Sequence, residues 1–465
     1  MNSFKMKYIG DKRFYKTLLM VAVPMVIQNG ITNFVNLLDN LMVGQLGTEM
    51  MSGVSIINQL MMVYAISIFG MVSGASIFST QFYGQGNNEG MKHTFRFKVI
   101  SSLIITIIWI AVFYFFRSGL INLFLHDDGT GVNLVLAFDS AEQYMYIMLI
   151  GLIPFTFSQV YASTLRETGQ TILPMVASII AVLINFVGNY ILIFGHFGAP
   201  KLGVAGAAIA TVASRFVESG IVLTWTHLNT ARFKFMIGVY KSLYVPVTLI
   251  KQIFIKGMPL LLNETLWSVS QAMLTQAYST RGLSAVAAFN ISGTVGNLFN
   301  VVFISMGSAI AILVGQKLGS GDLDGAYDTD RKLLFVSFVM GIITGAIMFA
   351  FAPLFPKFYN TSDEVRSLAM MLLCVNACYY VVYSVYNATY FTLRSGGKTM
   401  LTFFFDSFSL LLISVPFAYV LTQLTDLPLY VCFALVQGVE ALKCVVGVVL
   451  IKKKIWLVDL VKELS

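Results

Sequence analysis

Apolar stretches, each at least about 18 residues long and so able to cross a bilayer as a helix, recur along this chain from end to end. Twelve can be drawn, centred on residues 17–43, 53–79, 98–116, 140–161, 172–194, 203–225, 250–278, 285–314, 333–352, 366–391, 401–421 and 429–450. The gaps between them are short, and none is polar enough for a soluble domain. In hydrocarbon every backbone N–H and C=O must be satisfied internally, which leaves the helix as the spanning element for such runs. The pattern therefore predicts an all-α polytopic membrane protein with twelve transmembrane helices.

The pattern also repeats. Leu165-Arg166-Glu167-Thr168-Gly169-Gln170-Thr171 returns as Leu393-Arg394-Ser395-Gly396-Gly397-Lys398-Thr399, 228 residues on. Pro24 and Gly47 return as Pro259 and Gly282, shifted by 235. Gln81-Phe82-Tyr83-Gly84-Gln85-Gly86-Asn87 returns as Gln316-Lys317-Leu318-Gly319-Ser320-Gly321-Asp322 at the same shift of 235. Three echoes in register predict two copies of a six-helix module in one orientation, an architecture of transporters. The boundaries expected are an N-terminal lobe over 1–228, a connecting cytoplasmic loop over 229–248 and a C-terminal lobe over 249–465.

Composition fixes the solvent as lipid. Apolar residues make up 57% of the chain and charged residues 11%, against about 25% charged in soluble domains. The net charge of +8 could suggest a nucleic-acid partner, but its distribution excludes one. Basic residues gather in alternate loops: the N-terminus, the Lys92–Lys98 region, Arg166, the stretch from Arg232 to Lys256, Lys317 with Arg331 and Lys332, Arg394 with Lys398, and the Lys452–Lys454 tail. The opposite loops hold only Arg117, Lys201, Arg281, Lys357 and Arg366. By the positive-inside rule both termini are cytoplasmic, and a multi-pass protein of the bacterial cytoplasmic membrane is expected. The first span is too long for a cleaved signal segment.

Cys374, Cys378, Cys432 and Cys444 all fall inside spans and His93, His126, His196 and His227 in loops or at span ends, without metal-ligand spacing. Neither a phosphate loop nor a nucleophile elbow is present, so no cofactor, no tightly bound metal and no enzymatic chemistry is expected. Polar residues inside the spans do follow helical spacing. Thr32, Asn36 and Asp39 align on the first span, Glu264, Ser268, Gln271, Thr275 and Tyr278 on the seventh, and Asn376, Tyr380, Tyr383, Asn387 and Tyr390 on the tenth. Such stripes must face protein or water; for the neutral members, hydrogen-bonded helix packing is the simpler expectation.

Ionisable residues within spans are costly and mark function by default. Arg215 with Glu218, and Glu440 with Lys443, are opposite charges three residues apart and are expected to pair. Asp39, Glu264 and Asp406 have no cationic neighbour on their own helices. A carboxylate taken out of water without a counter-charge takes up a proton or a hard cation more readily, which is the chemistry of an ion-coupled transporter. Asp39 is the strongest of the three candidates and Asp406 the weakest.

Asp39-Asn40-Leu41-Met42-Val43-Gly44-Gln45-Leu46-Gly47 resembles the signature closing the first helix of the multidrug and toxic compound extrusion (MATE) family. So do Gln81 with Gly84-Gln85-Gly86, Leu165-Arg166 with Gly169, Gly203 to Thr211, Gly257-Met258-Pro259 with Asn263-Glu264, and Gly315 to Gly319. The resemblance covers the whole chain. It implies two six-helix lobes arranged as a V around a central cleft, exporting drugs in exchange for H⁺ or Na⁺ by alternating access. It also implies a coupling site in the N-terminal lobe. Asp39, Asn185 and Thr211 match that site, with Asn36 flanking it, but Asn189 stands where relatives carry a second acid. One carboxylate instead of two weakens any Na⁺ site at Asp39, Asn185, Asn189 and Thr211, and tilts the expectation toward H⁺. Glu264 matches the family's seventh-helix glutamate. The tenth-helix acid of some relatives is absent, so Asp406, with Gln271, Tyr383 and Asn387, completes the candidate substrate site of the C-terminal lobe.

With 14% aromatics and 23 methionines, a cleft in this protein suits lipophilic organic cations through π faces and adaptable thioethers, although most of these residues must serve packing and interfaces. A functional monomer in the lipid bilayer, taking small-molecule drugs and no nucleic acid, is the expectation. The nearer rival, a lipid-linked sugar flippase of the same superfamily, would need a cationic cavity, and Asp39, Glu264 and Asp406 argue against it. An intramembrane enzyme is the farther rival.

Overall fold

The structure is a computed structural model and describes residues 7–125, 133–462 and 464. His126 lies outside the described residues. Helices dominate, and among the described residues there is no strand. In chain order they are α1 (Lys12–Gly44), α2 (Thr48–Gln85), α3 (Asn88–Phe115), α4 (Leu134–Ile150 and Leu152–Glu167), α5 (Ile172–Phe194), α6 (Val204–Leu228), α7 (Val247–Ser279), α8 (Leu283–Gly319), α9 (Leu323–Phe351), α10 (Asp363–Ser395), α11 (Thr399–Leu424) and α12 (Leu429–Lys452). Ten are long and apolar enough individually to cross a membrane, and α4 makes an eleventh with its two halves taken together. The twelfth, α7, has 33 residues but carries Lys251, Lys256 and Glu264 among its polar positions. Its length rather than its apolarity marks it as a span.

α4 bends by 49° between its halves. Gly151 sits at the break, and Pro154 has no N–H to offer the carbonyl one turn back. Just past the bend, the Leu152 carbonyl accepts from the hydroxyls of Tyr64 (3.0 Å) and Thr156 (2.9 Å). Tyr64 also meets Thr106 of α3 at 3.1 Å, so one buried tyrosine holds α2, α3 and α4 together. This is the helix-to-helix hydrogen bonding expected where lipid offers no hydrophobic drive.

The repeats are structural. The echoed glycines adopt the same left-handed backbone in each copy: φ is 115° at Gly47 and 105° at Gly282, 77° at Gly86 and 75° at Gly321, 80° at Gly169 and 70° at Gly397. The Leu-Arg echoes close identically. Gln170 N–H bonds the Leu165 carbonyl at 2.9 Å, and Lys398 N–H bonds that of Leu393 at 3.0 Å. Glycine is required there because a Cβ disfavours positive φ. Identical punctuation in both copies is what a duplicated module predicts.

By contact the chain divides into two compact units. One comprises Pro24–Ser79 and Asn88–Lys251; the other comprises Met1–Val23, Thr80–Asn87 and Gln252–Ser465. Within the first, the segment after α6 is pinned to neighbouring helices. Arg96 donates to the carbonyls of Val239 (2.7 Å) and Tyr244 (3.3 Å), while the Tyr161 hydroxyl meets His227 Nε2 at 2.8 Å.

Several loop charges of the sequence reading are in fact interior. Lys98 is fully buried and pairs with Glu167 at 2.6 Å, a carboxylate that also accepts from Ser79 and from Ser163 (2.7 Å). Two opposite charges with hydrogen bonds around them can occupy a dry site that neither could alone. Glu440 and Lys443 pair as expected, at 2.8 Å. Arg215 and Glu218 do not. The Arg215 guanidinium lies 5.1 Å from the Phe155 ring centroid, and Glu218 accepts from Ser178 instead. Three residues on a helix bring side chains near, but here each found a partner on a neighbouring helix.

Candidate functional site

In the first unit the sequence-predicted residues converge on one carboxylate. Asp39 sits on α1, two turns beyond Thr32, whose hydroxyl is spent on its own helix at the Gln28 carbonyl (2.9 Å). Asn36 is exposed and takes no part in the site. Of the stripe on α1, only Asp39 therefore enters it. Asn185 and Asn189, one turn apart on α5, are buried and face it. Asn189 Nδ2 donates to Asp39 Oδ1 at 2.7 Å and reaches Asn185 Oδ1 at 3.4 Å. Asn185 Nδ2 meets the Thr211 hydroxyl of α6 at 3.1 Å, and that hydroxyl donates to the Ala207 carbonyl at 3.0 Å. With the Asn185 amide turned over, its nitrogen meets both Asp39 oxygens, at 2.9 and 2.8 Å, and its oxygen accepts from Thr211 at 3.1 Å. Asn189 Oδ1 is buried without a partner.

Sequence reasoning missed Tyr144. It is buried on α4, bonds Thr211 and Asn58, and lies within electrostatic reach of Asp39 and Arg215. Nothing in the pattern of α4 separates this tyrosine from the packing aromatics around it.

The C-terminal candidates gather less completely. Asn263 Nδ2 donates to Asp406 Oδ2 at 2.8 Å, and the Tyr386 hydroxyl donates to Asp406 Oδ1. Glu264, half-buried on α7, lies within electrostatic reach of Asp406 and of Arg394 on α10. Tyr383 packs its ring against Phe303 (5.6 Å) and Tyr386 (6.4 Å). Asn387 spends its amide on the Tyr383 carbonyl of its own helix (3.1 Å), and Asn376 bonds Ser292 at 3.2 Å as helix-to-helix glue. Gln271 is exposed. Tyr386 and Asn263, which the stripes did not single out as site residues, are the ones that hold Asp406. Another buried acid is Asp330 of α9. It is fully buried, bonded by the Thr392 hydroxyl at 2.5 Å through one oxygen and unpartnered through the other. Among the described residues no group of three or more His, Cys, Asp and Glu side chains could hold a metal ion.

Each of the two copies of the helical module thus holds a polar knot around an aspartate. The MatE family model matches residues 24–191 and again 259–420. The chain belongs to the MatE family. The two matches begin at Pro24 and Pro259, the prolines that open the internal repeat, so each copy of this MatE module is matched separately. The chain is similar to the probable multidrug resistance protein NorM of Thermotoga maritima, 24% identical over 414 residues covering 89% of this chain and 87% of that protein. It is equally similar to the probable multidrug resistance protein YoeA of Bacillus subtilis, 24% identical over 415 residues covering 89% and 88%. The fold matches a crystal structure of a variant of the Vibrio cholerae MATE transporter VcmN, with a TM-score of 0.85 and 17% identity over 95% of this chain and 97% of that one. As a MatE protein the chain is a multi-pass membrane transporter and not an enzyme.

Proposed function

We propose that this transporter exports lipophilic organic cations in exchange for inward protons, by alternating access, with Asp39 as the coupling residue. The observation that carries this reading is the company Asp39 keeps: two amides and, through them, a hydroxyl, with no second acid and no base bonded to it. When Asp39 is ionised, both amides suit it as donors, with Asn185 turned toward it and Thr211 giving its hydrogen to Asn185. When Asp39 is protonated, its O–H needs an acceptor. Asn185 then presents Oδ1, passes its Nδ2 to Thr211, and Thr211 returns its hydrogen to the Ala207 carbonyl. One proton thus rewrites hydrogen bonds from α1 through α5 to α6, because an amide has a donor end and an acceptor end while a hydroxyl serves either way. A drug that binds the two arrangements unequally is coupled to the proton, and the coupling is reciprocal.

The acids Glu264 and Asp406 and the aromatic and methionine content suit cationic, apolar substrates, and the multidrug-resistance naming of the relatives agrees. The proposal needs no cofactor and takes the monomer, in the bacterial cytoplasmic membrane, as the working unit. Both termini face the cytoplasm in this reading: a cysteine at Glu49 should be labelled from outside and one at Asn87 only from inside, and the reverse would overturn it. One observation favours Na⁺ instead. Asn189 Oδ1 is an unpartnered buried oxygen beside a carboxylate, and hard cations take such ligands. Vesicles loaded with ethidium and given a pH gradient or a Na⁺ gradient separately decide between them. Asp39→Asn should fold, mimic the protonated state and lose gradient-driven efflux. Wild-type accumulation by that variant would refute the mechanism.

A further inference from the structure

We propose that Arg215 is a carboxylate-binding residue in the unit that holds Asp39, and that it extends the substrates to flat aromatic molecules carrying an acid beside their cationic group. The inference rests on the export reading above and deepens it, by naming a second substrate group and the residue that selects it.

Arg215 is an interior cation without an anion of its own. It lies on α6, one turn beyond Thr211. The other charges within the spans of this unit are matched. Lys98 pairs with Glu167 at 2.6 Å, and Glu218 feels Arg166 more strongly than Arg215. Besides Glu218, the groups within electrostatic reach of Arg215 are the hydroxyls of Tyr64 and Tyr144. Arg215 Nη1 is buried without a partner. A guanidinium carries five N–H donors and no acceptor, and leaving a charged donor unmet in a dry site is costly. An ionisable group kept inside a membrane at such a cost points to function.

The local structure presents the guanidinium instead of hiding it. α4 bends at Gly151, and the Arg215 stem crosses that residue: a Cβ on Gly151 would stand 3.4 Å from Arg215 Cδ. One turn further on, the Phe155 ring centroid lies 5.1 Å from the guanidinium carbon. The Tyr64 ring backs Phe155 at 5.8 Å. Stacking takes up the face of the planar group and leaves its edge, where the N–H bonds point, available. The side chain is also partly exposed. Asn58 of α2, exposed within its span, accepts from the Tyr144 hydroxyl at 3.4 Å. An exposed amide at that depth turns to water and not to hydrocarbon. Water therefore comes up to Tyr144, which lies within reach of both Asp39 and Arg215.

Asp39 and Arg215 are thus the two charges of this unit with no bonded counter-charge. Both are tied to one face of α6. Asp39 connects through Asn185 to Thr211, and Arg215 stands one helical turn from Thr211 on the same side. An acid and a base held apart, with an aromatic plate beside the base, complement a substrate of the opposite arrangement. Its carboxylate meets Arg215, its ring system lies along Phe155, and its cationic end points toward Asp39. The guanidinium edge takes both oxygens of a carboxylate in two parallel hydrogen bonds. A phosphate monoester offers similar oxygens but brings a second negative charge, which no further unpaired cation of this unit offsets. One negative charge is the match.

Rhodamine 110 and rhodamine 123 test this as a matched pair, the same xanthene cation bearing a carboxylate in the first and its methyl ester in the second. Binding of each to the purified full chain in nanodiscs of neutral lipid is read by fluorescence polarisation, near neutral pH and without any gradient. Arg215→Gln should weaken rhodamine 110 by about 10- to 100-fold, the scale of hydrogen bonds between charged groups, and leave rhodamine 123 unchanged or tighter. Arg215→Lys keeps the charge but not the planar fork, so it should fall between wild type and Arg215→Gln; it also carries the test if the glutamine variant fails to fold. Benzoate should displace rhodamine 110 from wild type better than phenyl phosphate does. Equal weakening of both dyes would assign Arg215 to packing, and a wild type that does not bind rhodamine 110, or that prefers phenyl phosphate, would equally overturn the proposal. The export reading fails separately: selective rhodamine 110 binding without gradient-driven ethidium efflux sinks that reading alone, and efflux by a protein indifferent to the carboxylate sinks this one alone.

Discussion

Gly84 stands against the backbone of Gln316, so close that a Cβ would overlap the Gln316 carbonyl, and Gly319 stands in the same relation to Gln81. These are the echoed segments of the repeat, packed on each other reciprocally within one compact unit. Gln81 then uses its side chain to hold the C-terminal tail. Its Nε2 donates to the Ser395 carbonyl at 2.9 Å, and its Oε1 accepts from the Leu460 N–H at 2.7 Å. The duplicated phrase therefore serves assembly, since each copy supplies the flat surface the other requires.

A methyl group at either contact should be severe. Gly84→Ala or Gly319→Ala must displace backbone rather than a side-chain tip, and is expected to cost more than the roughly 1–3 kcal/mol typical of overpacking. Gly86→Ala, with φ at 77° but open space around it, should cost only about 1 kcal/mol of backbone strain. Thermal unfolding of detergent-solubilised protein ranks the three. A Gly84→Ala protein as stable as Gly86→Ala would contradict the packing described.

Glu264 tests whether the C-terminal acids handle charge. Its carboxyl accepts no hydrogen bond among the described residues and faces Arg394 and Asp406 only electrostatically, so Glu264→Gln removes charge while preserving size. Normal membrane expression with impaired efflux of a cationic dye is expected, and a neutral substrate should be affected less. Equal efflux of the dye by wild type and variant, across the working pH range, would assign Glu264 to structure.

Lys98 and Glu167 are expected to matter for stability instead of transport. Both are almost completely buried, and removing one partner strands the other charge. Lys98→Met or Glu167→Gln should each cost about 3–5 kcal/mol, whereas replacing both by apolar residues of similar volume should recover most of the loss. Chemical unfolding of the singles and the double forms the cycle. Additive losses would mean the two charges do not depend on each other.

Membership of a helical, duplicated, lipid-embedded class was legible in the chain because hydrocarbon imposes one rule everywhere: long apolar runs, polar residues only where they are satisfied. The glycine punctuation was legible because positive φ leaves few alternatives to glycine. Asp39 with Asn185, Asn189 and Thr211 came from the MATE-like signature, and the structure brings these four together. What the sequence could not contain is which neighbour a side chain meets across helices. Periodicity gives a face, not a partner. So Arg215 and Glu218 looked paired and were not, Lys98 looked like a loop charge and was buried, and Tyr144 and Tyr386, which no stripe singled out, became the hydroxyls beside Thr211 and Asp406. The packing of neighbouring helices decides those meetings, and the sequence also leaves unmarked the bend at Gly151 and the π turns of α11. Both are small departures from helical regularity whose consequence appears only when the neighbouring helices are in place.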